Sequence, residues 1–209
     1  MTIAFYGEGC FKIQSGDSVI LTDPIDAQVG LTPPRFKTDI ILKTLTSLPI
    51  LQFSILDSQS LIYGPGEYNI KDIDILGLGL TKESEGKFFK TIYLVKAEGI
   101  NLCFLGHLSE TLEPTILERL EEVDILFVPA GGRPFIEQKL LVKLIKQIEP
   151  KIVIPAFFKI SGLKRKADDL KTFLEEFNHQ NKIEPLEKLT IKKKDLAEIK
   201  KTKIVALKA

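Results

Sequence analysis

The sequence predicts an α/β protein in which two β-sheets lie between helices. Its first half consists of short β-branched or aromatic runs separated by tight-turn signals. From Thr111 onward the apolar residues change to helical spacing, and these segments alternate with buried strands. Hairpins early in the chain and helices between the later strands together favour two sheets covered by helices.

The early strands are predicted from alternating apolar runs and from the turn residues that punctuate them. "TIAFYG", "CFKIQSG" and "SVILTDP" are typical of a meander with tight turns. The prolines of "LTPPRFKT" predict a loop, and "DIILK" then predicts a strand inside a sheet that is covered on both faces. "SLIYGPGEYNIKDIDILGLGLT" predicts two strands joined near residues 64–66, and "KTIYLVKAEGINLCFLG" predicts a hairpin that turns at residues 97–99.

The later helices are predicted from apolar residues that recur on one face. "LEPTILERLEEV", residues 135–149 and residues 164–177 have this spacing. "VDILFVPAGG" and "KIVIPAFF" predict buried strands between them, and "EKLTIKKKDLAEIKKTKIVALKA" predicts a strand, a short helical turn and a strand. The runs "TDIILKT" and "VDILFVP" share an Asp followed by apolar residues, as expected if two α/β halves face each other.

Length and composition favour one domain over residues 1–209. A chain of this size buries roughly 70% of its unfolded surface, which is enough for a layered core. No apolar run reaches the roughly 20 residues that a membrane helix needs, and the first residues lack the features of a signal peptide. We therefore expect a cytoplasmic protein without a membrane partner, in which Cys10 and Cys103 are separate buried thiols.

Charge gives no global attraction to nucleic acid, because the formal net charge is +1. "LKRK" (residues 163–166) and the Lys-rich segment 192–208 are the local exceptions. In the second segment the lysines are interleaved with Asp195 and Glu198, and no aromatic residue is present for base stacking. We favour a solvated face over a nucleic-acid groove.

Seven motifs in this order resemble the metallo-β-lactamase fold, in particular the small zinc-dependent hydrolases that include the L-ascorbate-6-phosphate lactonases. The motifs are "FYGEGCFKI", "LTDP", "DIILKT", "GPGEYNI", "TIYLVKAEGINLCFLG", "VDILFVPAGG" and "PKIVIPAFFK". The resemblance covers nearly the whole chain. It implies a four-layer αβ/βα sandwich, with two facing mixed sheets and outer helices.

The resemblance also implies a zinc site, and the sequence departs from the family at that site. The family's H-x-H-x-D-H motif, which directly follows the strand "DIILKT", is matched by Leu45, Ser47, Pro49 and Ile50. At the other ligand positions, a histidine is expected near residues 81–82, Phe104 and Phe157 stand where the family has histidines, and His107 stands where it has an aspartate. The sequence has two histidines, His107 and His179, whereas a hydrolytic zinc site needs at least two converging imidazoles or thiolates. We therefore predict no metal and no cofactor, and a former pocket filled by Phe104 and Phe157.

Several remaining residues are weak candidates for a site. His107 could act as a general base or a single ligand together with Glu8, Asp23 or Ser47, although we favour a structural histidine and a local turn for Asp23. Glu8 stands where the family has a histidine that supports the metal ligands without binding the metal, and no G-x-S-x-G elbow surrounds Ser47. Gly131, Gly132 and Arg133, between a buried strand and a predicted helix, are candidates for an anion site, although we favour a plain turn.

Three hypotheses for function follow. The first is a non-catalytic, metal-free relative of the zinc hydrolases that binds a protein partner or a small ligand, with a homo-oligomer among the options. The second is a hydrolase with an atypical, metal-free site around His107. The third and weakest is nucleic-acid binding through the basic tail.

Overall fold

The computed structural model describes residues 1–49, 60–84, 86–178 and 183–209. Within these residues the chain forms fourteen strands: β1 (Thr2–Phe5), β2 (Phe11–Ser15), β3 (Ser18–Thr22), β4 (Ile40–Leu42), β5 (Leu45–Ser47), β6 (Ser60–Ile62), β7 (Gly66–Ile70), β8 (Ile73–Gly79), β9 (Phe88–Ala97), β10 (Ile100–Phe104), β11 (Ile125–Pro129), β12 (Ile152–Ala156), β13 (Leu189–Thr190) and β14 (Lys203–Ile204). The helices of the described residues are α1 (Pro114–Leu117), α2 (Gln138–Ile148), α3 (Leu170–Glu176) and α4 (Lys193–Ala197), with 3₁₀ turns at Ala27–Val29, Thr81–Glu83 and Glu118–Leu120.

The strands form two mixed sheets. In the first sheet the order is β13-β1-β2-β3-β4-β6, antiparallel through β3 and parallel from β3 to β6. In the second sheet the order is β14-β12-β11-β10-β9-β8-β7, parallel through β10 and antiparallel beyond it, while β5 pairs with β9. The predicted meander, the central strand "DIILK" and the hairpin at residues 97–99 are all confirmed.

The two sheets pack face to face over an aromatic and aliphatic core. The Phe11 ring of the first sheet lies 4.7 Å from the Phe127 ring of the second sheet, centroid to centroid. On the outer face of the second sheet, α2 buries an apolar stripe that includes Leu141 and Ile145. The outer face of the first sheet packs Leu21 beneath the loop that contains Phe36. This arrangement confirms the predicted α/β class with two facing mixed sheets and outer helices. None of the helices in the described residues has the length and apolar character that a membrane crossing requires.

Two predicted boundaries were wrong for identifiable reasons. The segment predicted as two strands joined near residues 64–66 forms three, because β6 ends in the first sheet and β7 and β8 form a hairpin in the second. That hairpin turns at Lys71 and Asp72, which both have positive φ angles, 52° and 61°. The predicted helix 164–177 begins at Leu170, because the amide of Lys164 donates to the carbonyl of Val29 and residue 168 bonds outside the segment.

The weak internal repeat of the sequence corresponds to matching contacts in the two sheets. The Asp39 carboxylate, before β4, accepts a hydrogen bond of 2.8 Å from the amide of Val19 in β3. The Asp124 carboxylate, before β11, accepts one of 2.8 Å from the amide of Asn101 in β10. Each carboxylate also binds a lysine ammonium, at 2.6 and 2.7 Å respectively. The two aspartates therefore join equivalent parallel strand pairs at their N-terminal ends.

Candidate functional site

Three polar residues meet where strands of the two sheets end. Asp23 follows β3, Thr44 follows β4 and His107 lies just beyond β10. The Thr44 hydroxyl donates to Asp23 Oδ2 at 2.6 Å, and the Thr44 amide donates to Asp23 Oδ1 at 2.7 Å. His107 Nδ1 lies 2.7 Å from the same hydroxyl oxygen. Because the single hydroxyl proton goes to the Asp23 carboxylate, a neutral His107 donates to Thr44 from Nδ1, and its Nε2 carries the lone pair.

Burial disfavours the charged forms of His107 and Asp23. It lowers the pKa of His107 below the ordinary value, against the opposing attraction of Asp23. Lys90 and Arg165 lower it further. Burial likewise raises the pKa of Asp23, although His107 and the hydrogen bonds from Thr44 favour its carboxylate. The imidazole is thus an uncharged base that is oriented through a hydroxyl.

Aromatic rings fill the space that these strand ends enclose. Phe157, directly after β12, is 2% exposed, and its ring centroid lies 4.9 Å from that of His107 and 4.5 Å from that of Phe135. Phe104 stacks on Phe127 at 4.2 Å. The cavity that is left has a volume of about 10 Å³, which is about the least that one water molecule needs. Both rings therefore take part in the filling that the sequence predicts.

Two of the positions that the resemblance matches to zinc ligands lie in a strand. Leu45 and Ser47 lie in β5, paired with Lys90 and Phe88 of β9. Thr46 between them is buried and donates to the carbonyl of Tyr63 at 3.0 Å, whereas Ser47 is exposed. The described hydrogen bonds do not join Ser47 to His107, and Thr44 supplies the hydroxyl instead.

Pro49 and Ile50, the other two positions matched to the H-x-H-x-D-H motif, add no metal ligand. Pro49 directly follows this part of the chain, and its side chain has no coordinating atom. Ile50 lies outside the described residues, as does His179.

The donor set does not fit the zinc centre that the fold implies. A zinc ion in a hydrolytic site is held by three or more histidine, cysteine or carboxylate ligands. In the part of the chain that the structure describes, no three such residues are grouped closely enough to hold a metal. His107 and Asp23 do approach each other, at 3.9 Å, but Thr44 bridges them and uses both. No catalytic step is therefore derived through a metal.

Glu8, the candidate from the first turn, is part of a clamp rather than of the His107 group. Both of its carboxylate oxygens lie 3.0 Å from Arg165 Nε. Arg165 also donates to the carbonyl of Phe157, and its guanidinium carbon lies 5.1 Å from the centre of the Phe135 ring. Burial raises the pKa of Glu8 while Arg165 opposes the shift. This Glu8–Arg165 clamp bonds to the backbone of Phe157 and covers the Phe135 ring, so it holds the segment after β12 in place.

The anion-site candidates lie in a different geometry from the one expected. Gly131 and Gly132 are buried, Arg133 is exposed, and α2 begins only at Gln138. A Cβ atom on Gly132 would lie 2.0 Å from the carboxylate of Asp168, so an acidic group already occupies this place. The amide of Ile136 donates to the carbonyl of Leu108, so this stretch is bonded outside the helix. The helix-terminal arrangement on which the prediction depended is absent at these residues.

Sequence reasoning missed Thr44 and Arg165. Thr44 is a polar residue two positions after the buried strand β4, much as Asp23 follows β3, and this similar placement was an available signal. Asp23 itself binds across 21 residues to Thr44, whereas the sequence favoured a local turn. Arg165 was included in "LKRK" only as part of a basic run, and nothing in that run distinguishes the one side chain that folds inward.

Two facing mixed sheets whose strand ends converge on a shared site define this protein as a member of the metallo-β-lactamase fold class. The chain belongs to the beta-lactamase superfamily, since the family model described as "Beta-lactamase superfamily domain" matches residues 2–156. The narrower resemblance to the ascorbate-6-phosphate lactonases stays a prediction.

Solved structures agree with this assignment of the fold. A putative zinc-dependent hydrolase of the metallo-β-lactamase superfamily from Thermotoga maritima is 24% identical, with a TM-score of 0.76 over 99% of this chain and 97% of that chain. A metallo hydrolase from the archaeon Ignicoccus hospitalis is 15% identical, with a TM-score of 0.65 over 91% and 99%. An isothiocyanate hydrolase from Delia radicum gut bacteria is 12% identical, with a TM-score of 0.64 over 92% and 100%. At these identities the likeness concerns the fold.

Proposed function

We propose that this protein is a non-catalytic member of the metallo-β-lactamase superfamily, which uses the fold as a scaffold to bind a protein partner or a small ligand. A second copy of the chain is one such partner, and the proposal includes a cytoplasmic location and a single domain over residues 1–209. The observation that carries it is the Phe157 ring, which lies where the strand ends converge and leaves a cavity of about 10 Å³.

The physical reason is that hydrolysis by this fold needs both donors and room. A catalytic zinc site keeps an open position for water and substrate beside its protein ligands. Here Leu45, Ser47, Pro49 and Phe157 supply no suitable donor set, and the rings of Phe157 and Phe135 pack on each other beneath the Arg165 guanidinium. We call the Phe157 and Phe135 rings the aromatic plug. Burial of these rings stabilises the fold, and it leaves no room for a metal-bound water and a substrate.

The test combines metal analysis with activity on the purified full chain. The protein is incubated with zinc, manganese or iron, desalted and measured by mass spectrometry, and it is assayed with ester, lactone and phosphodiester substrates. We expect far less than one metal ion per chain and no turnover. Stoichiometric bound metal together with turnover that is lost in His107→Ala would remove the proposal.

A second candidate, a metal-free hydrolase at His107, is supported by one specific feature. The Asp23–Thr44–His107 chain orients an uncharged imidazole with its Nε2 lone pair available, which is the state a general base requires. The His107→Ala and Thr44→Val variants test it against the same substrates. Activity that is equal in the wild-type protein and in His107→Ala ends this idea.

A further inference from the structure

A second cavity lies far from the filled cleft, at the N-terminal end of β12. Its volume is about 400 Å³, within the range of small-molecule sites. We call it the lysine pocket; it is defined by Lys146, Lys151, Lys200, Lys201, Phe177 and Thr202. Lys151 precedes β12 whereas Phe157 follows it, so the five-residue strand, about 16 Å long, separates the pocket from the cleft.

The walls of the lysine pocket are fixed by hydrogen bonds between distant parts of the chain. The Thr202 hydroxyl donates to the carbonyl of Pro150 at 2.7 Å, and the amide of Lys203 donates to the carbonyl of Lys151 at 2.9 Å. These bonds hold Lys200 and Lys201 of the C-terminal segment beside the lysines of α2 and the loop that follows it. The convergence of the four amines is therefore a property of the fold.

The lysine pocket has an excess of positive charge. Its four lysines take no part in the ion pairs found among the described residues, and Glu149 is the acidic residue in its lining. Lys146 alone would be explained by the negative end of the α2 dipole, where cations are stabilising. Lys151, Lys200 and Lys201 lie outside that helix. An anionic ligand would supply the missing counter-charge.

One wall of the lysine pocket is aromatic, and this feature narrows the class of ligand that the pocket fits. Phe177 lines the cavity while its ring packs on Phe173, centroids 6.0 Å apart, and Ile145 forms an apolar floor. From the sequence we favoured a solvated face for the basic tail because the tail has no aromatic residue. The fold supplies one from the end of α3.

We propose that the lysine pocket binds a nucleoside phosphate, either as a free nucleotide or as one unit of single-stranded nucleic acid. The lysines neutralise the phosphates, and the Phe177 ring offers a surface on which a base stacks. This site is independent of the filled cleft, and it does not rest on whether the protein is catalytic.

The test uses the full chain with ATP, sodium tripolyphosphate, and labelled 12-nucleotide oligo(U) and oligo(dT), by calorimetry and fluorescence anisotropy. The pair K146A/K151A is expected to weaken the binding of ATP and of the oligonucleotides about tenfold or more. For the oligonucleotides it should also lower the slope of log K against log salt by about 1.4, at ~0.7 per phosphate contact. The matched pair K188A/K194A removes the same charge from exposed lysines outside the pocket, and we expect its affinity to stay within about twofold of wild type.

The Phe177→Leu variant tests the stacking contact while an apolar side chain is retained. We expect a loss of about 5- to 150-fold for ATP, which corresponds to the usual worth of one stacked base, and little change for tripolyphosphate. Binding of ATP alone would identify a free nucleotide, and binding of the oligonucleotides a nucleic-acid strand.

Three results would overturn the proposal: no binding at low salt, equal losses in both lysine pairs, or tripolyphosphate bound as tightly as ATP with no effect of Phe177→Leu. Circular dichroism and thermal melts of each variant separate lost binding from lost folding.

Discussion

Replacement of Phe157 by alanine tests the aromatic plug directly. The ring is 2% exposed and contacts both His107 and Phe135. Buried Phe→Ala substitutions cost about 3–5 kcal/mol, and the cost is highest where the surroundings cannot collapse. The lining of the space includes Asp23 and Thr44, so water that enters the new cavity offsets part of the loss. We therefore expect Phe157→Ala to reduce the free energy of unfolding by about 3–4 kcal/mol.

Urea unfolding measures this loss, and the histidine titration supplies a second readout. With a slope of about 2–3 kcal/mol per molar urea, the midpoint should fall by roughly 1–2 M. Because burial is the main cause of the lowered pKa of His107, water beside the ring should move that pKa upward. The protein has two histidines, so NMR can follow both, and His179→Gln assigns the signals.

The same variant changes the pH dependence of stability in a defined direction. In the wild-type protein the unfolded chain takes up a proton on His107 near pH 6.5, whereas the folded chain does so only at lower pH. The contribution of His107 to the free energy of unfolding therefore falls as the pH decreases below about 6.5. In Phe157→Ala this fall should be shallower. Phe36→Ala, which removes a half-buried ring on the other side of the first sheet, is the control and should leave the His107 titration unchanged. A loss below about 1 kcal/mol in Phe157→Ala, with an unaltered His107 pKa, would refute the plug.

Three further substitutions probe the cleft and the strand framework that carries it. Asp23→Asn should reverse the hydrogen bond between Thr44 and His107, because the introduced side-chain amide would donate to the Thr44 hydroxyl and that hydroxyl would then donate to His107 Nδ1. ¹⁵N NMR should then show the imidazole protonated at Nε2. An unchanged tautomer would disprove the assigned proton positions. Asp39→Asn should cost about 1–3 kcal/mol above pH ~4, because a lysine ammonium and a backbone amide bind the charged form and lower its pKa. That cost should vanish as the pH falls through the folded-state pKa of Asp39, and a pH-independent difference in urea titrations would contradict it. Gly106→Ala should lower the thermal midpoint, because its Cβ would lie 2.2 Å from the Cβ of Thr44 and its φ is +53°; an unchanged melting temperature would show that this packing relaxes freely.

The strand pattern was predictable from sequence where a turn residue marked each end. The hairpin at residues 97–99 contains a glycine, which adopts its positive φ of 71° without strain. The hairpin at Lys71 and Asp72 has positive φ angles without a glycine, so the sequence contained no such signal. The start of α3 was mispredicted for a different reason. The backbone of Lys164 bonds to Val29, more than a hundred residues away, and no local pattern reports such a partner.

At the site, side-chain chemistry was more informative than position. Leu45 and Phe157, which the resemblance matches to ligand positions, have side chains that cannot bind a metal, and this follows from residue identity alone. The partners of Thr44, by contrast, lie 21 residues before it and 63 residues after it, so its bridging role depends on tertiary structure. The same holds for the lysine pocket, whose aromatic wall and basic rim come from separate elements.

The pairing of β5 with β9 limits any attempt to engineer a metal centre into this protein. Side chains alternate between the two faces of a strand, and Thr46 points into the protein. Imidazoles engineered at positions 45 and 47 would thus face away from His107 and Asp23. To bring such ligands to His107 and Asp23, β5 would have to separate from β9, so ligand substitutions alone would leave the imidazoles on the opposite face of the strand.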